Sequence, residues 1–191
     1  MNTRELATKC RTYRRFLPTP IDREALGYAL ENARRTSTAA NQQQLRFYAI
    51  HSPENVAAMQ PLVRWAAALP PELGVPHDDE RPVAFIVIAS TAQKSLIDGI
   101  NIGLAAHAIT TSLCEQGIGS CMMAAIDIRS INKLIGIDGE KECTRLTIAI
   151  GLSRCTSTIV EPKDNSLKYY VDENRNYYVP KRSFDELVTF L

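Results

Sequence analysis

Two long apolar segments constrain the fold more than any other feature of this 191-residue chain. Residues 83–90 (VAFIVIAS) form a continuous apolar run rich in β-branched side chains, which is typical of a central strand buried on both faces. Residues 95–116 (SLIDGINIGLAAHAITTSLCEQ) carry apolar side chains on most faces of a helix, so we expect this helix at the centre of the fold. Because Asp98, Asn101 and His107 interrupt it, we interpret it as a buried helix and not as a membrane span.

Shorter segments on either side add a mixture of helices and strands. The predicted elements are helices at 3–9, 22–35 and 127–134, strands at 46–52 and 144–153, and a tail of two aromatic-rich strands, turning near Asn174, before a helix from Ser183. No GxGxxG motif follows a strand, so a strict Rossmann alternation is not supported. We therefore predict one α+β domain over residues 1–191, with a mixed, mainly antiparallel sheet flanked by helices.

Composition narrows the classes of function. The chain has 22 lysines and arginines against 21 aspartates and glutamates, a net charge of +1, so no overall field draws it to nucleic acid or to a membrane. Its five cysteines are odd in number and show no CxxC spacing, which argues against a disulfide framework or a zinc site. The charged N-terminal stretch lacks the apolar core of a signal peptide. We expect a cytoplasmic protein.

Basic residues nevertheless cluster at two places. The arginine window, residues 10–16 (CRTYRRF), holds Arg11, Arg14 and Arg15, and VPKRSFDEL near the C-terminus holds Lys181 and Arg182. Guanidinium forks beside a hydroxyl are groups that recognise phosphate. A solvated basic turn is the alternative interpretation.

Two further stretches have the composition of ligand-contacting segments. In residues 36–47 (TSTAANQQQLRF), small side chains allow close approach to a flat ring, and carboxamides offer a donor and an acceptor to its pyrimidine edge. In residues 115–127 (EQGIGSCMMAAID), glycines turn the chain before small residues that can expose backbone N–H groups. A polar loop and a core strand are the respective alternatives.

The usual catalytic motifs are absent from the sequence. It has no GxSxG, HExxH or Walker motif, and we interpret the scattered His51, His77 and His107 as surface or core residues. No metal site is predicted. If the protein is an enzyme, a cofactor should supply the reactivity.

Taken together and in this order, these stretches resemble the nitroreductase family of FMN-dependent oxidoreductases over nearly the whole chain. The family's R-x-S-x-R-x-F pattern is matched by Arg11, Thr12, Arg14 and Phe16. Its P-T-A-A-N-x-Q-P-W-R-F pattern resembles STAANQQQLRF, and G-L-G-x-C-M-I-G resembles GIGSCMMA. The ending Y-x-x-D-E-N-G-x-x-x-V-P-K-R-S is similar to YYVDENRNYYVPKRS.

The resemblance implies a single nitroreductase-like, FMN-binding domain with three groups of site residues. The implied phosphate group is Arg11, Thr12, Arg14, Lys181 and Arg182. The implied ring and ribityl loop is Thr38, Ala39, Ala40, Asn41 and Gln43. The implied backbone segment facing flavin N5 and O4 is Met122, Met123, Ala124 and Ala125.

The resemblance also implies the activity. NAD(P)H would reduce FMN, leave, and be replaced by a nitroaromatic, quinone or similar acceptor in a ping-pong cycle, with hydride moving to and from flavin N5 and no catalytic side chain. The family places this site at a homodimer interface to which both subunits contribute.

The sequence departs from the family at several positions. In the first two motifs, Cys10 replaces Arg, Ser37 and Gln44 each replace Pro, and Leu45 replaces Trp. In the later motifs, Met123 replaces Ile, Ala124 replaces Gly, and Arg175 replaces a turn glycine. The loss of Pro-Trp supports one alternative, a non-redox flavin-binding protein for storage or sensing. A nucleic-acid or anion-binding module is the other alternative, which the near-zero net charge disfavours.

Overall fold

The computed structural model describes residues 1–66 and 68–191. Its helices are α1 (Thr3–Lys9), α2 (Arg23–Arg34), α3 (Pro53–Met59), α4 (Pro71–Gly74), α5 (Leu96–Glu115), α6 (Ile128–Ile135) and α7 (Phe184–Leu187). Its strands are β1 (Leu45–Ile50), β2 (Ala84–Ser90), β3 (Gly119–Met123), β4 (Cys143–Gly151), β5 (Ser157–Val160), β6 (Tyr170–Val171) and β7 (Tyr177–Pro180).

The main sheet has the strand order β1-β2-β4-β3, and all its pairs are antiparallel. All seven residues of β2 are buried, which confirms the central strand predicted from its continuous apolar run. Side chains alternate between two cores: Ile86 and Ile88 pack toward α2 and α5 on one face, and Phe85 and Val87 pack toward α3 and α6 on the other. The α+β class and the mainly antiparallel sheet are thus confirmed.

The long helix α5 is buried on one side only. Ala106, Ile109 and Leu113 have no exposed surface and join the core, whereas the opposite side exposes large apolar residues. These are Leu96, Ile97, Ile100 and Leu104, exposed by 80%, 47%, 48% and 45%. The expectation of a central helix is therefore correct for one face and wrong for the other within a single chain. By length and composition α5 could cross a membrane, a test that core helices of soluble proteins also pass.

The C-terminal part forms a second, three-stranded sheet of order β5-β7-β6. Here β6 and β7 are the predicted aromatic strands, and Asp172 to Asn176 form the turn between them. Strand β5 was not predicted, because four residues that pair in parallel with a distant strand have no local signature. The proline-rich segment before β2 contains α4 and a 3₁₀ turn at Asp78–Glu80.

Candidate functional site

The arginine window runs in extended form beside the edge strand β3. The Tyr13 N–H donates to the Ser120 carbonyl at 2.9 Å, which aligns the window with the strand. Phe16 then enters the core with no exposed surface. It fits there because residue 151 is glycine: a Cβ at Gly151 would lie 2.9 Å from the Phe16 Cβ. The window is therefore anchored at two points, by the backbone of Tyr13 at β3 and by the side chain of Phe16 in the core.

Arg15 differs from its neighbours in making a buried ion pair. Its Nε lies 2.9 Å from Oε1 of Glu80, and its Nη1 donates to the Asn174 carbonyl at 2.9 Å. Arg175 donates to the other carboxylate oxygen of Glu80 at 2.9 Å. Burial would raise the Glu80 pKa, but hydrogen bonds from Arg15 and the His77 backbone N–H, with the charges of both arginines, lower that pKa to about 2. Arg15 thus joins the window to the tail turn and is not available to a ligand.

Arg11, Arg14 and Lys181 line one cavity of about 700 Å³. Its wall comes from α1, the window, α5, β3 and the tail. No aspartate or glutamate of residues 1–66 and 68–191 lines it, while six hydroxyl-bearing residues do: Thr3, Thr12, Thr110, Thr111, Ser120 and Tyr169. Three cations and several hydroxyls without an opposing carboxylate in the described ranges give this cavity a set of donors suited to an anion.

Arg14 is held by two aromatic rings. Its guanidinium carbon lies 4.7 Å from the ring centroid of Tyr169 and 5.2 Å from that of Tyr177, distances at which cation–π attraction operates. No residue in the described part of the chain accepts a hydrogen bond from this guanidinium. The stacking therefore orients Arg14 and leaves its donors for a ligand.

Arg11 is only partly satisfied. Its Nη2 donates to the Ala7 carbonyl at the end of α1, at 2.6 Å. Its Nε is buried and has no hydrogen-bond partner in the part of the chain that the structure describes. A buried donor without an acceptor is costly, so the Nε of Arg11, like the guanidinium of Arg14, is a donor that an anion could satisfy.

The C-terminal cations take separate places. The Lys181 N–H donates to the Val160 carbonyl at 3.0 Å, and its side chain joins the cavity of the window. Arg182 instead lines a neighbouring cavity of about 510 Å³ and donates to Glu186 at 3.3 Å. The structure thus brings Lys181, but not Arg182, to Arg11 and Arg14.

The predicted loop Thr38–Gln43 lies on the surface, outside the cavity that the arginine window lines. Thr38 and Gln43 line a smaller cavity of about 250 Å³, shared with Arg46 and Asn101. None of the predicted loop residues lines the window's cavity. Within one chain, the expected ring loop and the expected phosphate group are therefore separate.

The predicted segment 122–125 begins at the cavity. Met122, 43% exposed, lines it, while the next side chain, Met123, points into the core as strand alternation requires. Ala124 and Ala125 are exposed beyond the end of β3, and the Ala125 carbonyl accepts a hydrogen bond from the Arg64 N–H at 3.0 Å.

Thr110, Thr111 and Tyr169 line the cavity but were not singled out from the sequence, and His107 was interpreted as a surface or core residue. Tyr169 stacks on Arg14, and His107 lines the cavity with Thr110 and Thr111. The spacing of the last three, i, i+3 and i+4 on α5, is a signal that could have grouped them on one helix face. Tyr169 has no such local signal, because only the tertiary fold brings the tail over the window.

The fold and the cavity define an α+β domain with a cationic cavity between its N-terminal window and its C-terminal tail. The sequence model of the Nitroreductase family matches residues 7–152. The chain therefore belongs to the nitroreductase family. A comparison with curated proteins found no match.

Solved structures share this fold. An FMN- and NADPH-dependent nitroreductase from Sphingopyxis sp. strain HMH has a TM-score of 0.73 at 16% identity, covering 100% of this chain and 99% of that one. A nitroreductase family protein from Streptococcus pneumoniae TIGR4 has a TM-score of 0.72 at 17% identity, with both chains fully covered. A Desulfovibrio desulfuricans structure described as a nitroreductase in complex with FMN has a TM-score of 0.70 at 16% identity, covering 100% and 98%. At these identities the likeness concerns the fold alone.

Proposed function

We propose that this protein is a cytoplasmic FMN-dependent oxidoreductase that uses NAD(P)H to reduce nitroaromatic, quinone or similar acceptors. The observation that carries the proposal is the convergence of Arg11, Arg14 and Lys181 on one cavity to which no described aspartate or glutamate contributes. Membership of the nitroreductase family supports it. So do the FMN in the Desulfovibrio structure and the FMN and NADPH dependence of the Sphingopyxis protein.

The residues in the cavity fit the phosphate end of FMN. The guanidinium of Arg14 and the buried Nε of Arg11 have no acceptor in the described chain, and a phosphate provides acceptors for both. Thr12 and Lys181 add a hydroxyl and a further positive charge on the same wall. The volume of about 700 Å³ lies within the range of roughly 300–1,000 Å³ of small-molecule sites.

We infer that a second copy of the chain completes the binding site for the isoalloxazine ring of FMN. The Thr38–Gln43 loop lies outside the window's cavity, and α5 exposes an apolar face around Ile97, Ile100 and Leu104. A stripe of large apolar side chains marks an interaction surface. We therefore propose a homodimer that pairs through α5 and in which each Thr38–Gln43 loop serves the cavity of the other subunit.

In this proposal, the role of the chain's own residues is to bind FMN and to orient it. FMN, when bound, supplies the hydride-transfer chemistry. Arg14, restricted by its two tyrosine rings, would hold the phosphate at low entropic cost, together with Arg11 and Lys181. The small residues of the loop and the backbone of Met122–Ala125 would contact the ring. No side chain has to act as a nucleophile.

The test is the visible spectrum of the purified protein, before and after addition of NADH or NADPH without oxygen. We expect a flavin spectrum that bleaches, and turnover when a simple quinone is added. Bound flavin that neither nicotinamide reduces would instead indicate the non-redox alternative. Leu45, the departure on which that alternative depends, is a buried core residue at the start of β1 and also lines the cavity of Thr38 and Gln43.

A further inference from the structure

The Thr38–Gln43 loop has an unusual backbone. Ala40, Asn41 and Gln43 have φ values of 50°, 52° and 49°, in the left-handed region that side chains other than glycine and asparagine avoid. For Ala40 and Gln43 this conformation costs on the order of 1 kcal/mol each. Such strain persists only where the surrounding structure imposes it.

Contacts inside the loop do not explain why it stays in place. The Asn41 N–H donates to the Thr38 carbonyl at 2.9 Å, and the Gln43 N–H donates to the Thr38 hydroxyl at 3.3 Å. Both bonds are local, and residues 40–43 are exposed. They shape the turn without attaching it to the rest of the fold.

One residue distant in sequence provides that attachment. The Ala39 N–H donates to Oδ1 of Asn101 at 3.0 Å, and Asn101 is only 2% exposed. Within the described chain, no other residue remote in sequence hydrogen-bonds positions 38–43. The next residue, Gln44, accepts from the Thr91 N–H at 3.0 Å and from the Thr91 hydroxyl at 3.2 Å, so Asn101 holds the start of the loop and Thr91 its end. Asn101 is itself firmly placed, because Asp98, one turn earlier on α5, binds the Ser90 hydroxyl at 2.6 Å and Arg145 at 3.1 Å.

We infer that Asn101 is a positioning residue that holds the Thr38–Gln43 loop in its strained, left-handed form, the form in which the loop contacts the flavin. The inference rests on the proposed function. Its physical basis is that a loop which is always ordered binds with its intrinsic Kd. For a loop that is ordered only part of the time, the apparent Kd equals the intrinsic Kd divided by the ordered fraction, so binding is weaker. The tether, the hydrogen bond from Ala39 to Asn101, raises this fraction.

The experiment combines FMN titration with amide hydrogen exchange of the full chain, with and without flavin. In Asn101→Ala we expect faster exchange in residues 36–44 of the flavin-free protein and an FMN Kd raised about tenfold. Ser112→Ala is the matched control. It removes another buried polar contact of α5, the 2.8 Å bond from Asn32, and should leave both readouts unchanged.

A second substitution separates positioning from general destabilisation. Glycine adopts φ near 50° without the steric cost of alanine, so Ala40→Gly lowers the cost of the left-handed form that Asn101 is inferred to hold. In the Asn101→Ala background, Ala40→Gly should lower the FMN Kd at least threefold relative to Asn101→Ala alone. A role for Asn101 confined to helix packing would give no such recovery.

Each outcome decides a distinct point. Unchanged exchange at residues 36–44 in Asn101→Ala overturns the tether. Faster exchange with an unaltered FMN Kd overturns the link between this loop and the flavin. A wild-type protein that binds no FMN refutes the proposed function and the flavin part of the inference, whereas the exchange data still decide whether Asn101 holds the loop.

Discussion

The guanidinium of Arg175 donates to the carboxylate of Glu80 at 2.9 Å, although 95 residues separate the two. The other oxygen of the same carboxylate binds Arg15, so a single buried glutamate joins the arginine window to the tail turn. Arg175 also donates to the Val75 carbonyl at 2.8 Å. This junction sets the tail over the window and so places Tyr169 and Lys181 beside Arg14.

Removing the charge at the junction should be strongly destabilising. We expect Glu80→Gln to lower the free energy of unfolding by about 3 kcal/mol, because it leaves two guanidiniums buried without a counter-charge. Chemical denaturation measures the change. Asp79→Asn is the matched control: its ion pair with Arg154 is largely exposed and should contribute under about 1 kcal/mol. Equal losses in the two variants would contradict the role assigned to Glu80.

The same carboxylate should affect acid stability. Its folded pKa of about 2 lies below the ordinary 4.5, so its contribution is complete above about pH 5 and disappears as the pH falls toward 2. The shift corresponds to a contribution on the order of 3 kcal/mol. We therefore expect the stability difference between wild type and Glu80→Gln to shrink between pH 5 and pH 2. A difference that is constant with pH would show that folding does not lower the Glu80 pKa.

Restoring the family's glycine at position 175 should harm this protein. Arg175 has φ 60°, so glycine relieves about 1 kcal/mol of backbone strain. It also removes the ion pair with Glu80, and we expect a net loss of about 2 kcal/mol on urea denaturation. Asp164→Gly, at an exposed residue with φ 50°, is the control and should be neutral or slightly stabilising. A gain in stability at position 175 would show that backbone strain outweighs the ion pair.

Arg14 should contribute directly to cofactor affinity. We expect Arg14→Ala to weaken FMN binding by about 1.5–3 kcal/mol, the range for hydrogen bonds to a charged group. Fluorescence titration of flavin-free protein measures the Kd. Arg129→Ala removes an exposed arginine of α6 outside the cavity and should leave the Kd unaltered. A Kd that is the same in Arg14→Ala and wild type would place the phosphate elsewhere.

The exposed face of α5 should mediate pairing. The wild-type protein is expected to sediment at twice the 21.2 kDa of one chain, and Ile100→Asp should sediment as a single chain with weaker FMN binding, because a charge is introduced into an apolar contact. Val75→Asp, at a residue exposed by 44% on another surface, should remain a dimer. Wild-type protein that binds FMN as a single chain would refute the shared site.

Much of the architecture is encoded locally. The continuous apolar run of β2, the Asp127 N-cap of α6 and the aromatic strands β6 and β7 all depend on side chains within a few residues of one another, and their patterns predicted the elements correctly. The family motifs likewise predict a phosphate-binding role for the arginine window, because such a cluster needs particular residue types at short spacing, and this role stays a prediction.

The tertiary structure alone decided how these elements serve one another. The sequence shows three arginines in the window, and only the packing of Glu80 and the tail turn assigns Arg15 to structure and leaves Arg11 and Arg14 facing a cavity. The attachment of Ala39 to Asn101 spans 62 residues, and no local pattern encodes it. The physical reason is the range of the forces: propensity and hydrophobic period act over a turn or a strand, whereas burial, ion pairing and stacking depend on which distant segments the completed core brings into contact.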